Sequence, residues 1–205
     1  PTPGVADGSD YFNTKLWTGT QASLAITGLG FNPDLVWGKR YSTTGDNILI
    51  DSVRGVNKYL RANLTNSEPT NADLITSFDS DGFTVGDSTG LNLSGASIVG
   101  WAWDAGSSTV SNTDGSITSQ VRANQTAGFS IVSFTASGTA GSDSCGHGLN
   151  AVPGLVMIKA RDATDDWYVW HQDFSNLQRN YISLNSTAAV TLSSNDSWGA
   201  GMTSS

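Results

Sequence analysis

Glycoside hydrolysis needs two carboxylates about 5–10 Å apart, one of them with a raised pKa, and this sequence supplies few candidates. Glu68 is its only glutamate and stands in a polar loop. Asp165 and Asp166 are adjacent, so on a strand they face opposite sides. A serine triad needs a histidine beside a nucleophile and an orienting acid. His147 lies in Gly146-His147-Gly148, which reads as a turn, and His171 ends a strand candidate close to Asp173. No Gly-x-Ser-x-Gly elbow stands near either histidine, and a turn or surface role is the better account of both. Cys145, the lone cysteine, excludes an intrachain disulfide and reads as a small residue in a Gly/Ser loop rather than a thiol site. Asp79-Ser80-Asp81-Gly82 resembles the opening of a calcium loop, but the following Phe83-Thr84-Val85-Gly86 is strand-like and carries no terminal carboxylate. A turn leading into a hairpin is preferred there. No catalytic residue, metal or cofactor is expected.

The aromatic residues are more informative. Seven Trp occur among 205 residues, and carbohydrate sites use exposed Trp and Tyr faces with neighbouring polar groups. Trp101-Ala102-Trp103 sets two indoles on one strand face, where Trp37, Phe83 and Phe78 could join them; filling the core is the favoured reading of that set. Trp167-Tyr168-Val169-Trp170-His171 follows the acidic turn Asp162–Asp166, and its alternation leaves one face available to solvent. The candidate ligand-binding residues are therefore Arg161, Asp166, Trp167, Tyr168, Trp170 and His171.

The elements that must position these residues read as strands. Apolar residues make up 38% of the chain, and Gly, Ser, Thr and Asn fill the remainder where a helical protein would carry Lys and Glu. Strands are expected near 12–18, 22–27, 34–40, 47–53, 58–63, 74–78, 82–86, 96–104, 116–123, 128–135, 155–161, 166–171 and 180–185. Turn signals such as Thr44-Gly45-Asp46, Asp81-Gly82 and Asp114-Gly115 separate them. The stretch 66–73, with Pro69 in a first turn, is compatible with a short helical turn. The formal charge of −8 repels phosphate backbones and anionic lipid, so neither nucleic acid nor a membrane surface is an expected partner. No apolar run reaches 18 residues. Pro1-Thr2-Pro3-Gly4 resembles neither a signal peptide nor a natural start, which suggests an excerpt or a processed product.

The chain also repeats itself. Gly28-Leu29-Gly30-Phe31-Asn32-Pro33-Asp34-Leu35-Val36-Trp37-Gly38-Lys39 aligns with Gly148–Lys159 at a constant offset of 120. Ile48-Leu49-Ile50 aligns with Tyr168-Val169-Trp170, and Tyr59–Asn63 with Tyr181–Asn185 at an offset of 122. Leu16-Trp17-Thr18 resembles Ser133-Phe134-Thr135, and Phe78 aligns with Trp198. Two tandem antiparallel β-sandwich modules of jelly-roll or lectin-like type are expected, 1–108 and 109–205, joined near Ala105-Gly106-Ser107-Ser108. After Trp198 the second copy has only Gly199–Ser205 where the first continues through Asp81–Gly86 and Ala96–Trp103. The second copy is thus expected to be incomplete, its missing strands supplied by further chain or by another subunit. The first copy lacks a counterpart of 116–123, which leaves open whether that strand pairs within copy two or completes copy one.

Tyr11-Phe12-Asn13-Thr14, Thr18-Gly19-Thr20, Gly28–Trp37, Asp51-Ser52-Val53-Arg54-Gly55, Asp81-Gly82-Phe83 and Trp101-Ala102-Trp103 together resemble a module repeated in phage structural proteins, especially of marine and cyanobacterial phages. Copy two resembles it through Asn112-Thr113-Asp114-Gly115 and Gly128-Phe129-Ser130-Ile131. The resemblance covers nearly the whole chain from Asp10 and brings no catalytic motif. It implies a lectin-like, concanavalin-like sandwich in tail fibres or other virion appendages, assembled in the host cytoplasm and released in the particle. The expected function is non-enzymatic host adhesion, with other virion subunits (as a homo-oligomer) and host-surface glycan as partners. A purely architectural decoration or cement protein is the alternative, and a polysaccharide depolymerase the second.

Overall fold

In the computed structural model, residues 5–139, 141–194, 198 and 202–204 are described. The readings made on Pro1–Gly4, and on the tail except Met202–Ser204, lie outside them. The protein is all-β, built of antiparallel pairs in several sheets. It divides into two compact units, Pro1–Ala62 with Glu68–Gly106, and Asn63–Ser67 with Ser107–Ser205. The junction falls at 106/107 where the sequence placed it at 108/109, and the short segment Asn63–Ser67 groups with the second unit.

In the first unit, a 3-10 turn at Gly8–Asp10 precedes β1 (Phe12–Thr18), β2 (Leu24–Thr27), β3 (Leu35–Arg40), β4 (Asn47–Asp51), β5 (Leu60–Arg61), β6 (Ile75–Asp79), β7 (Gly82–Val85), α1 (Thr89–Asn92) and β8 (Ser97–Trp103). One sheet has the order β1-β8-β3-β4-β5 and the other β2-β7-β6. Their facing sides form one core. Trp17, Val36, Ile48, Ile50, Ile98 and Ala102 come from the larger sheet, and Ile26, Ile75, Phe83 and Val85 from the smaller. Space for the indole of Trp17 exists because Gly100 lies beneath it: a Cβ there would approach the ring to 3.0 Å.

The short helix is not at 66–73, where Thr70 instead bridges Lys58 in an extended pairing. It is α1, capped by Ser88 and anchored by the buried Leu91 and Asn92. The Asn92 side chain accepts from Thr20 N–H at 2.8 Å and donates to the carbonyls of Ala22 and Gly86, which ties α1 to both neighbouring loops. Four residues containing a glycine have no helical periodicity to read, so only these tertiary bonds reveal the turn.

The second unit contains β9 (Val110–Asn112), β10 (Ser119–Asn124), β11 (Phe129–Phe134), β12 (Leu155–Lys159), β13 (Trp167–His171), β14 (Asn180–Ser183) and β15 (Thr191–Leu192). Its sheets have the orders β11-β10-β9 and β12-β13-β14-β15. The repeat is visible in the backbone. β3 and β4 return as β12 and β13 in the same antiparallel pairing, and the Lys58–Thr70 bridge returns as Asn180–Leu192. Positive φ recurs at Gly28 (81°) and Gly148 (72°), and at Gly30 (89°) and Asn150 (54°), the last a residue type that tolerates the left-handed region. β10 pairs with β9 and β11, so the strand predicted at 116–123 belongs to copy two.

The two units differ in their cores. The large buried cluster lies wholly in the first. Among the described residues, the second buries only Val121, Trp167, Val169 and Trp170 as apolar side chains. Less buried apolar surface means cheaper local opening. Amides of β12–β14 are therefore expected to exchange with deuterium faster than those of β3 and β4, which a native-state exchange experiment would measure.

Candidate functional site

Alternation along three strands decides which side chains leave the core of the first unit. Trp17, Val36, Gly100 and Ala102 point inward, so Phe12, Thr14 and Leu16 of β1, Val99, Trp101 and Trp103 of β8, and Leu35, Trp37 and Lys39 of β3 share the outer face. The pairing register sets Phe12 beside Trp103 beside Leu35, and Thr14 beside Trp101 beside Trp37. The ring centroids of Phe12 and Trp103 are 4.9 Å apart, and those of Trp37 and Trp101 meet edge to face at 6.3 Å. Phe12 is 40% exposed and the three indoles are partly exposed. This corrects the core reading of Trp37, Trp101 and Trp103; it holds only for Phe83, which is fully buried, and for Phe78, which packs against the cluster. The indole N–H of Trp37 is buried with no hydrogen-bond partner among the described residues.

An ion network closes one end of this face. Arg54 donates through its Nε to Asp51 (2.5 Å), through a terminal nitrogen to Glu68 (3.0 Å), and through the other to the Leu49 carbonyl (3.1 Å). All three charged side chains are at most 9% exposed. The motif Asp51–Gly55 is thus a structural corner, with Gly55 at φ 93° and its N–H on the Asp51 carbonyl. The lone glutamate is held here rather than in a cleft. At the corresponding place, 120 residues on, the second unit sets His171 against the ring of Phe174 (centroids 6.2 Å apart).

The acidic turn before β7 has a structural use as well. The Asp81 carboxylate accepts the N–H groups of Gly30 (2.7 Å) and Gly28 (2.9 Å), and these two bonds hold its pKa below the ordinary carboxylate value. Asp79 accepts from Thr84 Oγ1 at 2.8 Å. A carboxylate with a lowered pKa stabilises the fold above its unfolded pKa, and that contribution is lost as pH falls through the folded value. Asp81→Asn is therefore expected to lower the melting temperature of the first unit at neutral pH and to leave a smaller loss below pH 4. Paired thermal melts across pH would show it.

The sequence-predicted ligand residues come together on β13 and its approach, but not as a binding surface. Trp167 and Trp170 are 5% and 2% exposed, so neither indole offers a face to a sugar, and Trp170 Nε1 donates to the Leu177 carbonyl at 2.7 Å. Both sides of β13 are covered: Trp167 and Val169 are buried on one, Trp170 on the other. Tyr168 donates its hydroxyl to Asp165 at 3.1 Å and stacks edge-on against Tyr181; burial first, and that carboxylate second, push its phenol up to about 12. Asp166 accepts from the Asn185 side chain at 2.7 Å, and Arg161 donates to Ser133 Oγ at 2.8 Å. His171 lies 3.6 Å from Asp173, half exposed.

Other reactive groups are similarly engaged. The pattern Gly86-Asp87-Ser88-Thr89-Gly90 does run from strand to turn to helix, yet Ser88 Oγ caps α1 and accepts from Asn71 at 3.2 Å. Both histidines of the chain belong to the second unit, so the first supplies no histidine base for this serine. His147 Nδ1 accepts Leu149 N–H, which leaves Nε2 to donate to the Thr203 carbonyl at 2.9 Å. Cys145 is half-buried, and burial together with Asp143 raises its thiol pKa, the opposite of nucleophilic activation.

Comparison with known proteins adds a family. The family model described as a domain of unknown function, DUF7483, matches residues 7–205. The chain belongs to the DUF7483 family. The match runs through both repeats, so a DUF7483 unit contains the pair rather than one copy. No curated protein and no solved structure matches this DUF7483 chain.

Proposed function

We propose that this DUF7483 chain is a non-enzymatic structural protein of a phage virion, part of a tail fibre or similar appendage, and that it binds host-surface glycan through the outer face of the β1-β8-β3-β4-β5 sheet. The observation that carries the reading is the aromatic row Phe12, Trp103, Trp101 and Trp37 on a partly exposed sheet face, with Thr14 and Lys39 beside it. Flat rings stack on the apolar faces of sugar rings, while neighbouring hydroxyl and amine groups serve their hydroxyls. Such a shallow face binds weakly at one site and gains by multivalency in an oligomeric particle. The surface expected from Arg161, Asp166, Trp167, Tyr168, Trp170 and His171 is not the one proposed, because Trp167 and Trp170 are buried.

A glycan array probed with multimerised protein tests the reading. Binding is expected, and Trp101→Ala and Trp103→Ala should each weaken it at least about tenfold, equivalent to about 1.4 kcal/mol. Absence of binding to any host polysaccharide, or binding untouched by both substitutions, would sink it. A purely architectural role is the second reading, favoured by the edge of β12, unpaired among the described residues, with Leu155 and Met157 exposed. Release of new reducing ends from host polysaccharide would instead favour a depolymerase.

A further inference from the structure

We propose that the gap between β11 and β12 is an acceptor slot for one antiparallel strand with the sequence pattern of β8. The argument starts from the repeat. By sequence β11 is the counterpart of β1, and β12 that of β3. In the first unit those two strands flank β8, which pairs with both along its length. In the second unit β11 ends one sheet and β12 ends the other, and among the described residues neither has a partner on its second edge.

Exposure marks the same place. Leu35, covered beside Trp103 of β8, is 8% exposed, whereas its counterpart Leu155 is 55% exposed. Met157, the counterpart of Trp37, is 36% exposed. The two edges also lie within side-chain reach of one another, since the Arg161 guanidinium just past β12 bonds Ser133 Oγ on β11. An inserted strand needs two strand spacings, about 9.5 Å, a span that an extended arginine and a serine hydroxyl cover together.

The slot defines its occupant. Each open edge offers a row of backbone N–H and C=O groups, the chemistry of strand addition. Inward positions must be small where β8 carries Gly100 and Ala102, because Ile158 stands where the first unit has Gly38. Outward positions must be large and apolar, as Trp101 and Trp103 are, to cover Met157 and Leu155. The chain's own β8 is held on both edges in the first unit, so the occupant is a separate segment of this pattern. Its insertion would join the two sheets of the second unit into one, in the order β9-β10-β11-slot-β12-β13-β14-β15.

The probe is a fluorescein-labelled peptide of sequence Ala96–Asp104 with a solubilising lysine tail, titrated onto the full chain. Saturable anisotropy change is expected. A peptide carrying Gly100→Pro, which loses an N–H and cannot lie between two strands, should bind at least tenfold more weakly. Hydrogen exchange should slow in β11 and β12 together. In the peptide titration three results would overturn the proposal: no binding, equal binding of the proline peptide, or protection confined to other edges such as β1. A chain that dimerises by itself in light scattering, with β12 protected and peptide excluded, would overturn it in favour of edge-to-edge pairing of two copies.

Discussion

Replacement of Arg54 by Ala should destabilise the first unit by about 3–5 kcal/mol, the usual cost of removing one partner from a buried ion network. Asp51 and Glu68 would be left with carboxylates no more than 9% exposed and no cation between them. The Leu49 carbonyl would lose its side-chain donor as well. Chemical denaturation followed by tryptophan fluorescence would measure the loss, and in thermal melts the unfolding midpoint should fall by more than about 10 °C. A triple replacement of Asp51, Arg54 and Glu68 by apolar residues of similar size should recover much of it, because no charge is then stranded. If Arg54→Ala costs under about 1 kcal/mol, the network is behaving as a solvated surface pair.

Phe83→Ala should have an effect of similar size for a different reason. Phe83 is fully buried at the centre of the sandwich, 5.7 Å from the Trp17 ring in an edge-to-face contact, and pairs across the small sheet with Ile26. Truncation removes transfer free energy and leaves a cavity that the two sheets cannot close, about 3–5 kcal/mol in all. The loss should appear in the first unit: Phe83 belongs to the buried cluster, all of whose members lie there. Hydrogen exchange separates the cases, with β3, β4 and β8 losing protection while β13 keeps it. Uniform loss across both units would show that the chain unfolds as one cooperative body.

Much of the architecture is legible from residue order. Period-two patterns between glycine and aspartate turns mark the strands β1–β8 and β10–β14, because a half-buried strand must alternate and its turns need residues that tolerate tight backbone. β9 and β15 are too short to show a period, and α1 has none. Self-similarity at an offset of 120 foretells the equivalence of β12 and β13 with β3 and β4, down to the two left-handed residues that precede each pair.

The candidate site was less legible. Alternation says that Trp101 and Trp103 share a face, but not whether that face is inside. Their intervening neighbours Gly100 and Ala102 were the available signal: small residues on one side of a strand make room for a large one across the gap, and Trp17 fills it. Trp167 and Trp170 showed the converse. They stand on opposite faces of β13, and only packing reveals that both faces are covered. The roles of Asp81 and Arg54 were hidden for a related reason, since their partners lie about 50 residues away for Asp81 and 14 for Arg54–Glu68.

The sequence by itself therefore determined the strands, the turns and the repeat, all set by local sterics and the two-residue period of the pleat. Tertiary structure alone decided which aromatic face is left to solvent, which acids are tied into loops, and which edges remain open. Those depend on what a strand meets across the sheet or between sheets, and among the described residues β12 meets no strand on the side where β3 meets β8.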